Sequence, residues 1–162
     1  MIEMCKKLCR QICCKKTHIM VLYILSNELI VANNVLYMFY GCGKITSITF
    51  NNFDTSGVTN MSNMFDCCGL TTLDLSGFDT SSVTYMSYMF YNCSGLTKIY
   101  VGSGWNTASV TSGSSMFYMC RNIVGSNGTK YNSSYTDHTY ARLDKSGASG
   151  YLSTYDKSGL NA

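Results

Sequence analysis

The sequence predicts an α/β repeat solenoid. The expected form is a short right-handed stack of coils, with one parallel β-sheet face and short helical or 3₁₀ turns opposite. Three observations predict it. A block of about 26 residues recurs in register. Each block ends in apolar residues with a strand-like alternation. Each also carries an apolar stripe with a helix-like period.

The recurrence is direct. Phe53-Asp54-Thr55-Ser56 returns as Phe78-Asp79-Thr80-Ser81. The pair Met38-Phe39 returns as Met64-Phe65, Met89-Phe90 and Met116-Phe117, at steps of 26, 25 and 27 residues. Val58, Val83 and Val110 keep the same beat, and so do Cys42, Cys67, Cys93 and Cys120. Those cysteines stand three residues before the first apolar residue of each strand, so they should point inward as a stack of buried thiols. Cys68 is then an extra beside Cys67.

The strand half has the spacing L-x-x-L-x-L: Leu70, Leu73, Leu75, matched by Ile45, Ile48, Phe50 and by Leu96, Ile99, Val101. The last two residues of each set alternate with a polar one, as in a strand with one buried face. This is leucine-rich-repeat spacing and period. In the other half, Val58, Met61, Met64 and Phe65 fall at i, i+3, i+6 and i+7, which suits short helical or 3₁₀ turns. Thr59 would cap that segment and Asp54 the turn before it. No single unit can bury its apolar face alone, so stacking must build the core.

These residues carry a resemblance. Phe-Asp-Thr-Ser-x-Val-Thr-x-Met-Ser-x-Met-Phe-x-x-Cys, followed by Leu-Thr-x-Leu-Asp-Leu-Ser, resembles the bacterial surface repeat of BspA-like leucine-rich repeat proteins and Mycoplasma-lipoprotein-type repeats. The similarity spans roughly residues 35–152. It implies a surface-displayed or secreted adhesion protein without catalytic residues. The partner implied is a protein or glycan on a host or neighbouring cell.

Composition agrees with a polar, scarcely charged repeat. Of 162 residues 13% are charged, Pro is absent, and Ser, Thr and Asn together number 50. Charge is uneven: residues 1–16 hold Lys6, Lys7, Arg10, Lys15 and Lys16 against Glu3, and the remainder is nearly neutral. The body therefore has no basic cluster for nucleic acid. No apolar run reaches the length of a membrane span.

Three segments are expected: a basic, Cys-rich leader over residues 1–28, poorly ordered or signal-like; a solenoid of about four coils over residues 29–124; and a Gly/Ser/Tyr-rich cap or tail over residues 125–162. Ile19 to Leu25 has a signal-like apolar character. Leu29, Ile30 and Val31 read alternatively as the strand of a first, degenerate coil. Cys5, Cys9 and Cys13 step by four, and with His18 they raise a metal site, although the spacing is not that of zinc knuckles.

No catalytic constellation stands out, so no enzyme, cofactor or metal is expected. Gly102-Ser103-Gly104 is no phosphate-loop fingerprint. Asp54 and Asp79 share a repeat position, but Asn106 replaces them in the next copy, which fits a hydrogen-bonding turn better than a Ca²⁺ site. Trp105 stands in register with Phe53 and Phe78 and reads as core. Binding is expected on the outer strand face of a monomer, in rows Thr46, Thr71, Thr97, then Ser47, Thr72, Lys98, then Thr49, Asp74, Tyr100. The alternative is a structural spacer or display scaffold with no ligand of its own.

Overall fold

Alternating apolar residues form strands where the spacing places them. In the computed structural model, which describes residues 20–24, 30–31 and 35–155, β3 (Ile45–Phe50), β5 (Thr72–Leu75) and β6 (Lys98–Val101) fall on the three apolar sets. Leu73, Leu75, Ile99 and Val101 are buried. β5 and β6 are parallel, with Thr72 opposite Lys98 and Asp74 opposite Tyr100. Two strands precede them. β1 (Met20–Ile24) pairs in parallel with β3, and β2 (Ile30–Val31) pairs with β4 (Phe53–Asp54). Pairing between repeats thus begins at Met20, ahead of the expected start at residue 29. Most of the signal-like run is strand. Ile30 and Val31 match Phe53 and Asp54, not the leucine strand. The N-terminal cysteines and His18 lie outside the described residues.

The outer face is not one continuous sheet, as the rows implied. The strands form three small sheets: β1–β3, β2–β4, and β5–β6–β7, where β7 is Ser153–Thr154. Between β3 and β5 the Thr71 amide donates to the Thr46 carbonyl at 3.3 Å, and no strand pairing follows. The break coincides with Phe50, a half-buried ring at the position that Leu75 and Val101 fill. It also coincides with Asn52 at φ 51°.

The segments opposite the strands are not helical. Tyr37, Asn63, Tyr88 and Ser115 all have φ between 52° and 60°, and four residues later Gly41, Cys67, Asn92 and Met119 are again in the left-handed region. A right-handed helix holds no such residues. Hydrogen bonding explains the alternative. Met64, Asp66 and Cys68 amides donate within the repeat to the carbonyls of Met61, Asn63 and Phe65, closing successive β-turns. The intervening amides of Met61, Asn63, Phe65 and Cys67 donate to Tyr85, Ser87, Met89 and Tyr91 of the next repeat, at 2.8–3.1 Å. Half the amides thus close turns and half join repeats, so each group is paired as buried backbone requires. A helix would use every amide internally and leave the repeats unjoined.

Side chains stack in columns along this ladder. Phe39, Phe65, Phe90 and Phe117 are buried and stacked, with ring centroids 5.4, 5.6 and 5.5 Å apart. Met38, Met64, Met89 and Met116 form a second buried column. The cysteine column is Cys42, Cys68, Cys93 and Cys120, all buried; Cys67 is only half-buried. The count from the phenylalanine, three residues on, fixes the inward place; the count back from the leucine misleads because the second repeat is one residue shorter there. The thiols of Cys68, Cys93 and Cys120 donate to the carbonyls of Phe39, Phe65 and Phe90, at 2.8–2.9 Å. Burial pushes the Cys93 thiol up to about 12.

Short polar side chains tie the corners. Thr55 and Thr80 are fully buried. Each hydroxyl donates to the carbonyl and accepts from the amide of one residue in the next repeat, Asp79 and Asn106 respectively. Asp54, Asp79 and Asn106 each accept the amide two residues on, from Ser56, Ser81 and Ala108. At the next corner Asn60, not Thr59, takes the same role by accepting the Ser62 amide.

Residues 125–155 close over the last repeat. The Phe117 amide donates to the Thr136 carbonyl, as Phe90 does to Met116 one repeat earlier. Fully buried Tyr151 packs its ring on Phe117 and Tyr140, at 5.2 and 5.1 Å. A single 3₁₀ turn, His138–Tyr140, lies here. β7 adds in parallel to β6.

Candidate functional site

Each residue expected on the outer face can be placed. Thr46 and Ser47 are half-buried in β3; Thr49, Thr71, Thr72 and Thr97 are exposed. The Thr97 amide and hydroxyl both donate to the Thr71 carbonyl, at 2.8 and 2.9 Å, and the Thr97 carbonyl accepts from Val124. The first row is therefore a backbone spine carrying hydroxyls at its edge.

The charged and aromatic members are engaged within the molecule. Lys98 Nζ donates to the Gly125 carbonyl at 2.9 Å, tying the face to the cap. Asp74 accepts the Ser76 amide at 2.8 Å. The Tyr100 ring meets Tyr155 edge-on at 5.5 Å. Trp105 is half-buried, and its indole N–H donates to the Ala141 carbonyl at 2.9 Å, so it docks the cap.

The break in the outer face opens a groove of about 640 Å³ at the ends of β3 and β5. Thr49 and Asp74 reach it from the predicted rows; Phe50, Phe53, Asp54 and Tyr155 also line it. Phe50 lies 5.0 Å from Phe78 and 5.3 Å from Phe53, forming an aromatic floor. The amide and hydroxyl of Ser56 hold the Asp54 carboxyl below the usual range, so it is charged at neutral pH. A neighbouring hollow against Val101, Gly102 and Leu143 shares Ser76 and Tyr155 with the groove.

A second surface lies outside the predicted rows. Tyr37, Tyr40, Tyr85, Tyr88 and Tyr118 are 40–53% exposed on the turn side. Tyr88 and Tyr91 meet edge-on at 5.5 Å, and Tyr91 stacks on Tyr118 at 5.4 Å. The signal was present: Tyr flanks the Met-Phe pair on at least one side in the first, third and fourth copies. In the second copy Asn63 and Asp66 replace the tyrosines and bond to each other at 2.9 Å.

Among the described residues no group of His, Cys, Asp or Glu is arranged to hold a metal ion. No helix among them is long and apolar enough to cross a membrane.

A family model described as "Mycoplasma protein of unknown function, DUF285" matches residues 33–148. The chain belongs to that family. This is the Mycoplasma-type kinship expected from the repeat; the match does not extend to the BspA-like or leucine-rich parts of the expectation. The DUF285 stretch takes in β3 to β6 and most of the cap, and ends before β7. No curated protein and no solved structure matches this DUF285 chain significantly.

Proposed function

We propose that the chain is a non-enzymatic interaction or adhesion module. In this reading it is a short leucine-rich-repeat-like solenoid of the BspA-like kind, displayed at a cell surface or secreted. It engages protein or glycan on a host or neighbouring cell through the outer strand face. The observation that carries the reading is the groove at the ends of β3 and β5, where exposed Thr49 meets an aromatic floor. Concave sites that mix apolar walls with a few polar groups are the usual places for ligands. Exposed Thr71 and Thr72 continue the same face and supply further hydroxyl donors and acceptors, while the Thr97 hydroxyl, donating to the Thr71 carbonyl, is left as an acceptor.

Attachment of the full chain to host-cell layers, extracellular proteins and glycan arrays tests this. Thr49→Lys and Thr72→Arg, both exposed, should lower attachment about tenfold or more while leaving the circular dichroism unchanged. Attachment unaffected by either change would count against the outer face. Lys98 and Tyr100, both engaged internally, favour the second reading, a structural spacer or display scaffold. That reading gains if no surface, protein or glycan retains the chain.

A further inference from the structure

The groove has a chemistry more specific than the face around it. Its floor is the cluster of Phe50, Phe53 and Phe78, with centroids 5.0–5.9 Å apart, and Tyr155 stands on its wall. Phe53 and Phe78 are buried, so Phe50 and Tyr155, both half-buried, present the aromatic surface. Two carboxylates, Asp54 and Asp74, stand on the rim. No basic side chain is among the described residues that line it. Lys98, on the same face, is committed to the Gly125 carbonyl.

Carboxylates beside aromatic rings, with no basic side chain among the described residues of the lining, complement a cation carried on an apolar shaft. The rings attract the cation by their quadrupoles and cover its methylenes, and the carboxylates accept its N–H donors. Each carboxylate turns its Oδ1 into the turn, toward the Ser56 or the Ser76 amide, which fixes its direction. A neutral sugar would use the rings and leave both charges unmatched.

We propose that this groove takes an arginine or lysine side chain from a protein partner. The proposal rests on the reading of the outer face as a binding surface and names what its groove selects. The volume of about 640 Å³ admits the basic side chain with its flanking backbone.

The test uses the full chain and three blocked pentapeptides, Gly-Gly-X-Gly-Gly with X as arginine, lysine or citrulline. Citrulline keeps the shape of arginine and removes its charge. Ring resonances of Phe50, Phe78 and Tyr155 are followed by NMR. The arginine and lysine peptides should produce saturable shifts, with the citrulline peptide binding about fivefold or more weakly. The double variant Asp54→Asn, Asp74→Asn should erase that preference. It should also fold, because Asn106 makes the Asp54 turn in the fourth copy and asparagine at residue 74 keeps a side-chain oxygen for the Ser76 amide. Equal binding of arginine and citrulline peptides, or no shift with any, overturns the proposal. Larger shifts of the same rings with N-acetylglucosamine also overturn it. If cells retain the chain but the peptides do not bind, only this proposal falls. If the peptides bind but no cell retains the chain, only the adhesion reading falls.

Discussion

At the scale of single residues, the fold depends on places where L-amino acids adopt a left-handed backbone. Ser115 has φ 52°, in a turn closed by its carbonyl accepting the Tyr118 amide at 3.2 Å. Glycine adopts that region without the clash of a Cβ. Ser115→Gly is therefore expected to raise stability by about 0.5–1 kcal/mol, and Ser115→Val to lower it by more than about 1 kcal/mol, in urea unfolding. Thiol chemistry divides neighbours in the same way. Half-buried Cys67 should react with iodoacetamide well before Cys68, Cys93 or Cys120 in the native protein, as mapped by peptide mass. Equal rates would mean that the repeats open as a unit. The count back from the leucines points to Cys67 for the inward column, although Cys68 fills it. The column was legible from its beat; the one-residue shortening that displaces it became visible only through Phe65.

At the scale of elements, the strands were legible and the turns were not. Leucine-type spacing fixes which side of a strand is buried, and β5 and β6 follow it. Apolar residues at i, i+3, i+6 and i+7 suit a helix, but consecutive β-turns repeat their inward positions at nearly the same places. Side-chain periodicity does not tell the two apart. The discriminating fact is where the amides donate, and half of them donate to the next repeat. The corner threonines show how strictly these donors are matched. Thr80 Oγ1 both donates to the Asn106 carbonyl and accepts the Asn106 amide, at 2.7 Å each, in a fully buried place. Thr80→Val keeps the volume and strands both groups. It is expected to cost about 2–3 kcal/mol, while Thr80→Ser costs less than half of that. Equilibrium unfolding of the pair against the parent chain measures the difference.

At the scale of the whole molecule, the predicted stack of sheet rows is interrupted by an aromatic residue, and its end is closed by a cap held on one carboxylate. The interruption was written in the sequence as Phe50 in a column of smaller aliphatic residues, but only packing shows that a groove results. The cap was visible only as a Gly/Ser/Tyr-rich stretch, because its key residue, Asp144, belongs to no repeat. Asp144 is 3% exposed. Its two oxygens accept the Asn127, Thr129 and Gly150 amides and the Thr129 hydroxyl. Burial alone would raise its carboxyl, but these donors, led by the Thr129 hydroxyl, outweigh burial and hold it below the usual carboxylate range. A carboxyl lowered by folding stabilises the native state fully above the unfolded-state value, about 4, and the contribution is lost as pH falls through the lower native value. The cap should therefore hold from neutral pH down to about 4 and loosen below it. Asp144→Asn retains one oxygen for several donors and is expected to cost about 3 kcal/mol and to flatten this acid dependence. The cap carries Tyr151 against Phe117, so its loss bares the last ring of the phenylalanine column. Amide exchange at Asn127 and Thr129, followed from pH 7 to pH 3, should accelerate together with the near-ultraviolet signal of the cap tyrosines, and before Phe65 and Met89 exchange. Simultaneous exchange of cap and inner repeats would show that the stack unfolds as one unit and that Asp144 does not govern its end.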